Sequence, residues 1–140
     1  MPDQAARSTQ ALLLLRLLLA GLIAAHGWAR WLSGGIAPFG GWLDGLGFPF
    51  GVWIAVAITV YEIAGTPLLA LGRWVSALSL VYCFIYTMGI VLVHWPAGWF
   101  VVGLGRNGME YSVLLIACLA AQAWVHWPER GAQRKRDSHA

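Results

Sequence analysis

The chain has 140 residues, of which 59% are hydrophobic and 11% are charged, and its formal net charge is +3. Soluble domains carry roughly a quarter charged residues, so a chain this poor in charge cannot cover a surface in contact with water. The composition excludes an ordinary soluble domain and gives no basis for nucleic-acid binding. It predicts an integral membrane protein whose surroundings are lipid.

The first predicted element is a Leu-rich helix over residues 11–29, which follows a short segment of residues 1–10. Arg16 interrupts its apolar stretch, and His26-Gly27-Trp28 near its end is a poor cleavage site for a signal peptidase. We therefore expect a permanent membrane span here and not a cleaved signal peptide.

Three further apolar runs follow along the chain, at residues 52–71, 74–93 and 110–127. Each is close to the roughly 20 residues that a helix needs to cross the hydrocarbon core. Backbone groups in lipid must be hydrogen-bonded within the segment, so these runs are expected to be helical. The short connection Gly72-Arg73 predicts a tight hairpin between the second and third helices. The sequence therefore predicts an all-α, four-helix transmembrane bundle over residues 11–127.

Basic residues predict the orientation of this bundle. Arg7, Arg73 and the basic residues of segment 128–140 lie on one side of the predicted membrane, and Arg30 and Arg106 lie on the other. Positive charge is enriched on the cytoplasmic side of membrane proteins. We therefore expect both termini in the cytoplasm, with residues 128–140 as a basic, disordered tail.

Two longer connections, residues 31–51 and 95–109, are rich in glycine, proline and aromatic residues. Each follows an odd-numbered predicted helix, so both are expected on the outer side of the membrane. Their tryptophan and phenylalanine side chains suit the headgroup region. The sequence predicts that both connections are loops.

Two charged residues fall inside predicted spans, Arg16 in the first and Glu62 in the second. A charge in mid-bilayer costs roughly 2.5–3.5 kcal/mol on insertion scales, so both side chains need a reason to be there. The antiparallel helices allow Arg16 and Glu62 to meet as a buried polar pair. Two interpretations stay open: a structural ion pair, or a neutral Glu62 that donates to a ligand carbonyl, such as that of a quinone, or relays a proton.

A second polar group is predicted at the outer headgroup boundary, where His26 ends the first helix, His94 ends the third and Glu110 begins the fourth. Together these side chains can form a pocket at the depth of a quinone head group. Each also has a structural explanation, because Glu110 suits a helix N-terminus and an interfacial histidine can serve packing alone. His26 and His94 can also ligate a b-type haem, but we do not expect one, because both lie at helix ends.

The remaining reactive residues give no further site. Cys83 and Cys118 lie in apolar runs without a CxxC or Cys/His cluster, so we expect them to pack as small hydrophobic residues and predict no metal site. The sequence shows no nucleophile beside a base and no nucleotide-binding loop. Whether the chain is an enzyme therefore stays open, and standalone catalysis is not expected.

Three segments of the sequence resemble the DoxX-like family of small bacterial membrane proteins. They are Leu15-Arg16-Leu17 with His26-Gly27, then Tyr61-Glu62-Ile63-Ala64-Gly65 running to Gly72, and Gly105-Arg106-Asn107-Gly108-Met109-Glu110-Tyr111. The resemblance implies a multi-pass four-helix bundle in the bacterial inner membrane. It also implies that Arg16, His26, Glu62 and Glu110 are the family's polar positions.

Members of that family occur as small membrane subunits of quinone-linked oxidoreductases, including those of thiosulfate oxidation, and others accompany responses to redox or quinone stress. The resemblance therefore implies a subunit or accessory protein of such a system, with quinone as the expected ligand and a soluble or membrane-bound oxidoreductase as the partner. A homo-oligomer is compatible with the sequence. The alternative is a non-enzymatic protein, either a carrier for a small solute or a membrane scaffold.

Overall fold

The computed structural model describes residues 3–102 and 107–128. Within these ranges every regular element is helical, which confirms the predicted all-α class. The chain forms five α-helices, and the fourth continues directly into a five-residue π-helical turn. In chain order these elements are α1 (Gln4–Leu32), α2 (Ile36–Gly45), α3 (Gly51–Ala70), α4 (Val75–Gly89) with its π turn (Ile90–His94), and α5 (Glu110–Val125).

Three of these helices are long and apolar enough to cross a membrane: α1, α3, and α4 taken together with its π turn. That count covers the described residues. The fourth predicted span corresponds to α5, which is apolar but has 16 residues. At 1.5 Å per residue α5 is about 24 Å long, somewhat shorter than the roughly 30 Å of a hydrocarbon core.

The first connection differs from its prediction. Residues 31–51 were expected to be a loop, but α1 continues to Leu32 and α2 occupies Ile36–Gly45. Gly40 explains how α2 fits, because a Cβ at this position would lie only 2.5 Å from the Cα of Val52 on α3. The glycines that suggested a loop therefore permit close helix contact. The expectation of a loop was wrong for this stretch.

A side chain from α2 also fixes the start of α3. Asp44 Oδ1 accepts a hydrogen bond from the backbone N–H of Gly51 at 2.8 Å. The first N–H groups of a helix have no partner within the helix, so this carboxylate supplies one. α2 is thereby joined to α3 by both packing and a helix cap.

The helices pack in two pairs. α1 lies along most of α3, and α4 lies along α5, whereas the α3–α4 and α1–α5 contacts are less extensive. We call the boundary between the α1–α3 pair and the α4–α5 pair the seam. Large apolar side chains face outward from the bundle, as Trp53, Phe84 and Leu14 do. Several polar side chains are buried inside it, namely Thr59, Glu62, Thr66, Ser76, Ser79, Ser112 and Gln122.

The two ends of the bundle carry different connections, and we call them the loop end and the turn end. The loop end carries α2 and the segment after the π turn, and His94 Nδ1 is hydrogen-bonded to the Asn107 carbonyl there at 2.7 Å. The turn end carries residues 71–74, which join α3 to α4, together with the start of α1 and the end of α5. Arg106 and the predicted basic tail from residue 129 onward lie outside the described residues.

Candidate functional site

An ion pair between α1 and α3 is the centre of the candidate site. Arg30 Nη1 donates to Glu62 Oε2 at 2.7 Å and to Thr59 Oγ1 at 3.1 Å. The Glu62 side chain is 2% exposed and that of Arg30 is 20% exposed. The Thr59 hydroxyl in turn donates a hydrogen bond to the Ala55 carbonyl at 2.7 Å. The carboxylate is therefore buried with a hydrogen-bonded cation beside it, the arrangement that a charge inside the bundle needs.

Gly27 makes this contact possible. A Cβ at Gly27 would lie 2.9 Å from Glu62 Cβ and 3.3 Å from the Thr59 carbonyl oxygen. Because these distances leave no room for a side chain, only glycine lets α1 approach α3 this closely. Arg30 follows Gly27 by three residues and so projects from the same face of α1. The local sequence thus positions the guanidinium directly over Glu62.

α2 covers the outer side of the pair. The Arg30 guanidinium carbon lies 5.0 Å from the centroid of the Phe39 ring, which is within the range of a cation–π contact. Phe39 also stacks against Trp42 on the same helix, with ring centroids 6.0 Å apart. The short helix that the sequence did not predict therefore helps to hold the Arg30 side chain in place.

The structure corrects the predicted partner of Glu62. Arg16 does not reach the carboxylate: its Nη1 lies 3.1 Å from His126 Nε2 at the turn end, beside Gly72. Arg16 and Arg30 are separated along α1 by about 21 Å at 1.5 Å per residue. The error arose because the first helix was expected to end at residue 29, which left Arg30 in a loop. In the structure α1 runs past Arg30.

A cavity of about 470 Å³ lies at the loop end of the seam and has the ion pair in its wall. Its volume is within the range of about 300–1,000 Å³ that is usual for small-molecule sites. Most of its wall is apolar, with aromatic side chains from Phe39, Trp42, Phe48 and Phe84. The polar lining comprises His26, Arg30, Glu62, Tyr86, His94, Asn107, Tyr111 and Ser112.

The two predicted histidines both line this cavity. His26 Nδ1 is hydrogen-bonded to the Leu22 carbonyl at 3.1 Å, and its ring stacks on Tyr111 with centroids 6.2 Å apart. Because Nδ1 then carries the proton, Nε2 is the acceptor of the neutral ring. His94 is held by Asn107, as described above. The structure thus brings His26 and His94 to the cavity that also contains Glu62.

Glu110 begins α5, as predicted, but its side chain does not join the predicted pocket. Its Oε1 accepts a hydrogen bond from the backbone N–H of Val101 at 2.9 Å, and it does not line the cavity. Glu110 therefore ties the segment after the π turn to the beginning of α5. It supports the cavity wall that includes Val101, while His26 and His94 are the members of the predicted pocket that line the cavity.

Tyr86 was not predicted as a site residue. Its side chain is 9% exposed and lines the cavity, and it lies within electrostatic range of Glu62. Its hydroxyl has no hydrogen-bond partner among the described residues, although buried hydroxyls nearly always have one. In the sequence Tyr86 is one aromatic residue in an apolar run, so no local pattern distinguishes it from a packing residue.

Both cysteines are free and half-buried. Cys83 Sγ lies 3.7 Å from the Ile116 carbonyl oxygen across the α4–α5 contact, and both cysteines pack against the hydrophobic core. This arrangement agrees with the packing role expected for them.

Comparison with known proteins finds one family match. The DoxX family matches residues 11–95 of the chain, a stretch that includes most of α1 and all of α2, α3, α4 and the π turn. It therefore contains Arg30, Glu62, His26, Tyr86 and His94. No curated protein and no solved structure matches the chain.

Proposed function

The chain belongs to the DoxX family, and from this membership we propose that it is a small membrane subunit or accessory protein of a quinone-linked oxidoreductase system, with the loop-end cavity as its quinone site. The proposal includes α5 as a fourth transmembrane helix, both termini in the cytoplasm and the loop end outside, in the bacterial inner membrane. The observation that carries it is the Arg30–Glu62 pair in the wall of a mainly apolar cavity.

The chemistry of the wall suits a quinone ring. A quinone offers two carbonyl acceptors on a flat apolar ring, so its site needs hydrogen-bond donors set among aromatic and aliphatic side chains. Arg30 uses Nη1 for Glu62 and Thr59, and a guanidinium has further N–H donors. Tyr86 lines the cavity, and its hydroxyl is a second donor that is buried without a partner among the described residues. A bound quinone reaches this donor once the side chain turns its hydroxyl toward the cavity.

The cavity also reaches the outward surface of the bundle. Phe84, which lines it, is 66% exposed, and Trp42 and Val93 in the same wall are 38% and 39% exposed. In a membrane these side chains contact lipid, so a ligand that is dissolved in the bilayer has direct access. A quinone with an isoprenoid tail is such a ligand, because the tail can stay in lipid while the ring enters the cavity.

The redox chemistry itself is assigned to a partner protein. The sequence contains no nucleotide-binding loop, and the described residues contain no group of three or more His, Cys, Asp or Glu side chains placed to hold a metal ion. The role proposed for this chain is therefore to bind and orient the quinone in the membrane, where a soluble or membrane-bound oxidoreductase can exchange electrons with it.

The experiment is extraction of quinones from the protein after purification from native membranes in a mild detergent. Mass spectrometry should find quinone at a constant ratio to the wild-type protein and less of it in Tyr86→Phe, which removes one hydroxyl from the cavity wall. Tyr61→Phe is the matched control, because the Tyr61 hydroxyl bonds to the Leu78 carbonyl outside the cavity. Quinone at the level of bulk membrane lipid in wild type and both variants would contradict the proposal.

A further inference from the structure

Buried polar side chains form a stripe along the inner face of α4. Ser76, Ser79, Tyr82 and Tyr86 are all 9% exposed or less, and their spacing of three or four residues places them on one side of the helix. The stripe begins at the turn end and finishes at the cavity, and by the rise of the helix it covers about 15 Å. Apart from Thr87 on the outward face, the other residues of α4 are apolar, so this pattern needs a physical reason.

Side chains in and beside the stripe have polar atoms without partners. Four buried polar atoms lack a hydrogen bond within the described residues: Arg16 Nε, Ser79 Oγ, Tyr86 Oη and Gln122 Oε1. They come from α1, α4 and α5, which contribute to both sides of the seam. Native proteins leave few buried polar groups unsatisfied, so their concentration along one internal boundary points to a missing polar partner.

Ser79 is unusual among the hydroxyl residues of the helices. Serine and threonine inside a helix commonly bond to the carbonyl four residues earlier, and Thr59 and Thr66 do so at 2.7 and 2.8 Å. Ser79 is 0% exposed, yet its hydroxyl makes no such bond. Its hydrogen-bonding capacity is therefore left for another group inside the bundle.

The unpartnered atoms at the turn end identify the chemistry of that group. Arg16 Nε needs an acceptor and Gln122 Oε1 needs a donor, and the Gln122 amide orientation is determined because Nε2 donates to the Leu12 carbonyl at 2.8 Å. Both side chains lie at the α1–α5 contact, where Arg16 also meets His126. An anion could satisfy Arg16 but not Gln122. Water can do both, because it donates and accepts.

We propose that water enters the seam along the inner face of α4 and forms a hydrogen-bonded route from the turn end to the Arg30–Glu62 pair. The route passes from Arg16 and Gln122 to Ser79. It continues past Tyr82, whose hydroxyl donates to the Tyr61 carbonyl at 3.1 Å, to Tyr86, which lines the same cavity as Glu62. The route rests on the proposed function and extends it, because it lets Glu62 exchange protons with the turn end of the bundle. The presence of water in the route does not itself require a quinone.

Entry of water requires a small separation of the two helix pairs, because the four unpartnered atoms are sealed from solvent in this structure. Contacts across the seam are less extensive than those within each pair. Opening the seam gives hydrogen bonds to groups that lack them when it is closed. The closed arrangement is therefore disfavoured by its own unsatisfied polar atoms, and a hydrated seam relieves that cost.

The test is hydroxyl-radical footprinting of the full chain in lipid nanodiscs, read by mass spectrometry. Radicals form from water, so a side chain beside internal water is oxidised and a side chain in dry lipid is not. Tyr82 is the reporter, because it is 0% exposed and does not line the cavity. Leu80 on α4, which is 47% exposed and does not line the cavity, is the reference for contact with lipid.

We expect Tyr82 to be oxidised in wild type and Ser79→Ala to lose this oxidation, down to the level of Leu80. Thr87→Val is the matched control, because Thr87 carries a hydroxyl on the outward face of α4 and should leave Tyr82 unchanged. Tyr82 oxidised no more than Leu80 in wild type would overturn the proposal. So would strong oxidation of Tyr82 that Ser79→Ala does not lower, since water would then arrive by another path. Neither result depends on whether quinone co-purifies.

Discussion

At the scale of single residues, the main question is which arginine neutralises the buried Glu62 carboxylate. Three arginines occur in α1, at positions 7, 16 and 30, and hydropathy alone favours Arg16 as the partner of Glu62 because it interrupts the apolar stretch. In the structure Glu62 forms its ion pair with Arg30, at 2.7 Å between Oε2 and Nη1. Arg16 contacts His126 instead. The two arginines should therefore respond differently to changes at Glu62.

A double-mutant cycle tests this difference. Arg30→Met leaves the Glu62 carboxylate buried without its cation, and removal of one member of a buried pair typically costs about 3–5 kcal/mol. Glu62→Gln in the same chain should recover much of that loss, because no unpaired charge then remains. Unfolding by denaturant in detergent micelles measures the free energies of the two single variants and the double variant.

Arg16→Met is the control for this cycle. Its effect on unfolding should add to that of Glu62→Gln without coupling, as is usual for residues that share no contact. Strong coupling of Glu62 to Arg16 together with weak coupling to Arg30 would contradict the arrangement described here.

The sequence could identify Glu62 as a residue that needs a partner, because a carboxylate in an apolar run is costly in lipid. It could not identify the partner with certainty, because that choice depends on where α1 ends. Tyr86 was beyond sequence reasoning for another reason. Only the folded structure shows that its hydroxyl is buried without a partner among the described residues, on a side chain that lines the cavity.

At the scale of the helices, glycine determines how closely α1 can approach α3. Gly27 lies against Glu62 and Thr59 on α3, whereas Gly21 on the same helix has no atom within 4 Å of the position of its Cβ. The two glycines are thus a matched pair, one in a helix contact and one facing outward. The α1–α3 contact that presents Arg30 to Glu62 depends on the first of them.

Gly27→Ala should lower stability by about 1–3 kcal/mol, because the added methyl group is forced against Glu62 Cβ. Gly21→Ala should leave stability unchanged or raise it slightly, since alanine favours helix formation by roughly 0.5–1 kcal/mol over glycine. Thermal unfolding in detergent compares the two variants. Equal effects of the two substitutions would show that α1 does not pack on α3 through Gly27.

The membrane-spanning helices could be predicted because length and hydropathy can be read directly from a continuous segment of the sequence. α1, α3 and α4 with its π turn all overlap the predicted spans. α2 was missed because its glycines and proline are also the residues of loops, and only its packing on Val52 shows why they are compatible with a helix. The extension of α1 at its start is explained by a helix cap, since Asp3 Oδ1 accepts from the Ala6 N–H at 2.7 Å.

At the scale of the whole molecule, the proposed orientation follows from the distribution of basic residues and from the pairing of the helices. The loop end should be outside and the turn end in the cytoplasm. The cavity then opens near the outer headgroup region. In this proposed orientation the turn end, with Arg16 and His126, is at the cytoplasmic boundary.

Single cysteines on a background lacking Cys83 and Cys118 test this orientation. Ser33→Cys, just after α1, should react with a membrane-impermeant maleimide added to intact cells. Ser8→Cys, near the start of α1, should react only after the membrane is permeabilised. Both positions are exposed in the structure, so accessibility within the fold does not limit the reaction. The opposite labelling pattern would reverse the proposed topology.

The central claim is that the cavity lined by the Arg30–Glu62 pair binds a quinone. Titration of the protein in nanodiscs with a short-chain quinone tests this claim most directly. Quenching of tryptophan fluorescence reports binding, because Trp42 lines the cavity. Wild type should show saturable quenching, and the folded double variant Arg30→Met with Glu62→Gln should bind more weakly, because the guanidinium donors are lost from the wall. Trp42→Phe identifies the signal that comes from the cavity. Saturable quenching that is equally strong in wild type and in the folded double variant would contradict the account.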